Sequence, residues 1–109
     1  MEEISVRTVA AVILMAREIE RAEGELRGFI DRMSEEEQAA LVAVMWIGRE
    51  AFDADEWDEA YGTALSEAST PTADYLIGTP HLADNLEAGL EALGFDPEDE
   101  EDELLNRGS

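Results

Sequence analysis

Apolar residues recur every seventh position along the first third of the chain. Val12, Ile19, Leu26 and Met33 form one row, and Met15, Ala22 and Phe29 form a second row three residues on. Two such rows draw one apolar seam along a helix, so the spacing predicts a single long helix from about Ile4 to Met33. Gly24 and Gly28 lie inside it, each costing about 1 kcal/mol against alanine, and mark where it could bend or break. Arg17, Glu18, Arg21 and Glu25 sit away from the seam. A seam of that length has to be buried, against a later helix or against a second copy of the chain. Ile19, Leu26 and Met33 are the residues expected at such a self-association interface.

Beyond Met33 the pattern changes. Ser34-Glu35-Glu36-Glu37 has the form of a capping box, in which the serine oxygen accepts the amide three residues on and Glu37 reaches back to the serine amide. The following run AALVAVMWI (39–47) is apolar without interruption, which predicts a central helix with no wet face, ended by Gly48 and Arg49. A third helix is expected over about 55–68. Trp57, Ala60, Tyr61, Ala64, Leu65 and Ala68 share one side of it, while Asp55, Glu56, Glu59, Thr63 and Ser66 share the other. Ser69-Thr70-Pro71 stops it, and a short turn from Thr72 through Leu76 ends at Gly78. Thr79 followed by Pro80 predicts the start of a last helix, with Leu82, Leu86, Gly89, Leu90 and Leu93 on one side and Gly94 at its close. No stretch alternates with a period of two. The chain is therefore expected to be all-α, a small bundle of about four helices over residues 1–94, with Trp46, Trp57, Tyr61, Leu86 and Leu90 in the core. Residues 95–109 are expected to be a disordered acidic tail with a transient turn near Leu104.

Composition narrows the partners. In 109 residues there are 28 acids against 7 bases, a formal charge of -21, which argues against direct binding to nucleic acid or an anionic membrane. A chain of this length makes one domain. All the bases are arginine, and five of them precede Ser34. Without cysteine there is no disulfide, thiolate metal site or thiol nucleophile. The apolar run from Val9 to Ala16 is too short to span a bilayer. Glu2 and Glu3 also stand where a signal peptide would carry positive charge, so a cytoplasmic location is expected.

Two stretches invite a chemical reading. In AFDADEWDEA (51–60), Asp53, Asp55 and Asp58 are candidate cation ligands. A calcium loop starting at Asp53, however, would place Trp57 at a ligand position, Asp58 at the glycine position and Ala64 at the terminal glutamate position. The acids fit better as the cap and wet face of a helix whose tryptophan is buried. His81 is the single histidine; with Asp84 as orienter and Thr79 as nucleophile it would make a general-base site, but no oxyanion turn accompanies it. A di-iron bundle needs two Glu-x-x-His pairs, which one histidine cannot supply. Trp46, Phe52 and Trp57 could line a ligand pocket or simply pack. Gly48, Phe52, Ala60, Ala64 and Pro71 loosely follow a tetratricopeptide pair, but no second copy exists.

Three stretches, MWIGR (45–49), DADEWDEA (53–60) and DYLIGTPHLADNLEAGLEALG (74–94), resemble domain of unknown function 3775, a bacterial family of small acidic proteins. The resemblance runs from about Phe29 to Gly94. It implies a soluble bacterial protein and a single unit over residues 34–94, and it supplies no catalytic residue, cofactor or activity.

Taken together, the chain is expected to be a non-enzymatic interaction module that self-associates and offers an acidic surface to a basic protein partner. Two alternatives remain at this point: a divalent-cation-dependent binder or enzyme using Asp53, Asp55 and Asp58, and an acidic mimic of nucleic acid.

Overall fold

The computed structural model describes residues 1–67 and 70–106, and among these it contains helices and no strand, as the all-α class requires. The elements are α1 (Val6–Arg17), α2 (Ile19–Asp31), α3 (Glu35–Gly48), a 3-10 turn (Ala54–Glu56), α4 (Trp57–Ser66), α5 (Thr72–Ile77), α6 (Leu82–Ala92) and α7 (Pro97–Asn106). Among the described residues, no helix is long and apolar enough to cross a membrane.

The expected long first helix is two helices. Ser5 caps α1, its Oγ accepting the Thr8 amide at 3.0 Å, and the helix ends where Glu18 leaves helical geometry (φ -109°, ψ 35°). Gly24 and Gly28 do not break anything, since both lie inside α2. The cause of the break is tertiary: α1 lies on α6 and α7, whereas α2 lies on α5, and the turn at Glu18 serves both contacts. Of the heptad row, Leu26 is fully buried, and Ile19 and Met33 are half-buried against the same core.

Ser34 and Glu37 form the capping box in full, each side chain accepting the other's amide at 3.1 Å. From it α3 runs through the middle of the fold against α4, α5 and α6, with Ala39–Met45 and Ile47 buried. Its end falls beyond Gly48. The Ala51 amide donates to the Trp46 carbonyl at 2.9 Å and the Glu50 amide to the Ile47 carbonyl at 3.0 Å, with Glu50 held at φ 64°. That pair of bonds is the helix stop in which glycine is usual, because only glycine adopts the left-handed conformation without crowding its Cβ. Glu50→Gly is therefore expected to raise the unfolding free energy by about 1 kcal/mol, read as a higher urea midpoint at unchanged slope.

Gly48 has a different task. A Cβ built there would overlap the Asn85 carbonyl of α6, lying 2.7 Å from its carbon and 2.9 Å from the Gly89 nitrogen. A Cβ on Gly89 would in turn lie 2.9 Å from the Val44 carbonyl carbon and overlap its oxygen. The two glycines let the α3 and α6 backbones touch where the helices cross. Leu86 and Leu90, on the same helix as Gly89, are fully buried.

The last two elements depart further from expectation. Helix α6 begins at Leu82 rather than beside Thr79, with His81 at the N-cap position in a left-handed conformation (φ 58°). It ends with Gly94 at φ 90°, the Phe95 amide donating to Leu90 O at 2.9 Å. The segment expected to be a disordered tail is helical as α7 as far as Asn106; residues 107–109 lie outside the described residues. Charge alone argued for disorder, and attachment to α1 is what orders the helix. Pro97 is fully buried, Glu100 lies 3.8 Å from Arg7, and Glu101 pairs with Arg17.

Candidate interaction groove

One side of α3 is left partly uncovered. Glu35, Gln38, Ala39, Val42 and Trp46 follow one another at three- and four-residue steps, so they form a single stripe along the helix. This stripe is the floor of a groove of about 740 Å³ whose walls are Ala64, Leu65 and Glu67 of the α4 end and Pro71, Thr72 and Tyr75 of the α5 start. The indole nitrogen of Trp46 donates to the Tyr75 hydroxyl at 2.9 Å, tying α3 to α5, and the same indole stacks on Phe52 with centroids 5.7 Å apart. Gln38 is held by its amide nitrogen, which donates to Ile30 O at 2.8 Å.

Leu65 and Tyr75 are 41% and 37% exposed, large apolar side chains left open on facing walls. Among the described residues, no lysine, arginine or histidine lines the groove, and its ionisable groups are the carboxylates of Glu35 and Glu67 together with the Tyr75 phenol.

The other sequence candidates lie elsewhere. Asp53, Asp55 and Glu56 gather within 4.8 Å of one another, and Asp58 is not part of the group. Glu56 already accepts the Asp53 amide at 2.8 Å, so the cluster caps the 3-10 turn that begins α4. Trp57 does not reach Trp46: it stacks on Tyr61, centroids 6.1 Å apart, and is half-buried. Desolvation pushes the Tyr61 phenol above its ordinary range, helped by the charges of Glu3 and Glu36. His81 is exposed and borders a second pocket together with Thr79 and Asp84, and the Thr79 hydroxyl donates to Tyr75 O at 2.7 Å.

A family model described as Protein of unknown function (DUF3775) matches residues 23–95. The chain belongs to that family. No curated protein and no solved structure matches it. The DUF3775 match spans every element of the groove, from α3 through α5, and leaves α1 and α7 outside. The helical stripe that floors the groove was hidden in the sequence because all of 39–47 is apolar; only the coming together of three helices shows which side stays open.

Proposed function

We propose that the protein is a non-enzymatic interaction module that holds a basic amphipathic segment of a partner protein in the groove between α3, α4 and α5. The observation that carries this is the pairing of exposed Leu65 and Tyr75 with a lining that, among the described residues, holds carboxylates and no cation. Charge complementarity selects the occupant: the chain carries -21 overall, so a basic segment is steered to it and an acidic one repelled. The volume, within the usual range for a small-ligand cleft, takes one or two large side chains rather than a folded surface. The helix-in-groove mode supplies the geometry, with leucine-like anchors on the Val42–Trp46 floor and lysine or arginine at the rim beside Glu35 and Glu67.

A model peptide of about 16 residues, with leucine on one helical face and lysine on the other, tests this directly. In a Trp57→Phe background, Trp46 emission should shift on titration. Leu65→Asp should weaken binding about tenfold, equivalent to about 1.4 kcal/mol. Added salt should weaken it as well, because rim charges are screened. Equal affinity for the same peptide with glutamate in place of lysine would sink the proposal.

A further inference from the structure

Arg17, at the end of α1, is claimed by two carboxylates. Its Nη2 lies 2.5 Å from Glu87 of α6, and its Nη1 donates to Oε1 of Glu101 of α7. Glu101 is 4% exposed, and its second oxygen, Oε2, is buried without a hydrogen-bond partner. Glu87 is held on the same guanidinium as Glu101. Arg17 and Glu87 keep side-chain exposures of 41% and 21%, so the buried member is Glu101, and an ionised carboxylate oxygen buried without a partner is costly. A single proton at Oε2 removes that cost: Glu101 keeps its bond from Arg17, and one negative charge, on Glu87, faces one positive charge.

We propose that α7 is a proton-locked latch, docked on α1 when the buried Glu101 carries a proton beside Arg17 and Glu87 and loosened when that proton leaves. Among the described α7 side chains, Pro97 is fully buried, Leu104 half-buried and Leu105 mostly exposed, and Glu100 reaches Arg7 at 3.8 Å. Among the described residues, the charged groups facing Glu101 are Arg17 from α1 and Glu87 from α6, with Arg7 farther along α1 beside Glu100. Burial pushes the Glu101 carboxyl above the ordinary carboxylate range; Arg17 pulls it down and Glu87 pushes it up again. The sign follows. With the docked value above the released one, the proton's contribution to docking is complete below the released value and is lost as pH rises through the docked value. Docking therefore tightens in acid.

The chain has no cysteine, so Leu105→Cys with Ala88→Cys, both exposed positions, takes a pair of spin labels without further change. The distance between labels on α7 and α6 should be single and short at about pH 5, with a second, longer and broader population growing several-fold by about pH 8. Glu101→Gln keeps a donor and removes the charge, and should give the short distance at both pH values. Glu87→Gln lets Arg17 compensate an ionised Glu101, and should flatten the response in the same way. The latch is overturned by a wild-type distance that does not change with pH, or by Glu101→Gln and Glu87→Gln both responding as the wild type does. Far-ultraviolet circular dichroism on each variant establishes that α1–α6 are intact, so that a long distance reports release.

Discussion

Replacing either crossing glycine with alanine, Gly48→Ala or Gly89→Ala, should cost at least about 3 kcal/mol of unfolding free energy, among the largest effects of any single methyl in the chain. In both cases the added carbon meets backbone, the Asn85 carbonyl or the Val44 carbonyl, and not the end of a side chain that could swing away. Relief requires α3 and α6 to separate along their whole contact, loosening Leu86, Leu90 and the buried α3 residues at once. Equilibrium urea unfolding measures it. Gly24→Ala and Gly28→Ala are the controls, because a Cβ at either meets nothing within 4 Å. Both sit inside α2, and each should gain about 0.5 to 1 kcal/mol from helix propensity and reduced freedom of the unfolded chain. Opposite signs for the same chemical change would place the difference in the crossing itself.

Leu86→Ala should destabilise by about 3 to 4 kcal/mol. Leu86 is fully buried in the middle of α6, the helix that touches both α3 and α1. Those two neighbours are themselves pinned by other contacts, so the site cannot collapse to fill the void, and the cavity adds to the lost transfer free energy. Leu105→Ala, at a mostly exposed site on α7, should change stability by less than about 0.5 kcal/mol in the same urea experiment.

Much of this architecture was legible in the sequence. The Ser34–Glu37 box, the apolar run of α3, the acidic start of α4 and the leucines of α6 are local patterns, and local physics decides them. What escaped is non-local. The heptad rows continue in register across Glu18, so no periodicity marks the break, which exists because α1 and α2 have different neighbours. Gly48 looks like a helix stop, and nothing local distinguishes a stop from a crossing point with Gly89, some forty residues on. Charge density argued for a disordered end to the chain. The partner that orders it, Arg17, lies 84 residues from Glu101. The groove was invisible for a related reason. Exposed Leu65 reads as one more member of an apolar helix face, and Tyr75 as part of a short turn; their facing arrangement across Val42 and Trp46 is a property of three helices. The acidic stretch at Asp53 drew notice because its residues are close in sequence, yet the structure uses them to start a helix.

A basic amphipathic segment that enters the groove leaves a different mark from one that merely coats an acidic surface. Two-dimensional amide and side-chain NMR during titration with the leucine–lysine peptide separates these outcomes. Val42, Trp46 with its indole N–H, Leu65 and Tyr75 should show the largest shift changes, saturating together, while α2 and the exposed acids of the 3-10 turn stay still. Shifts spread over Asp53, Asp55 and Glu100, with the Trp46 indole unmoved, would contradict entry into the groove.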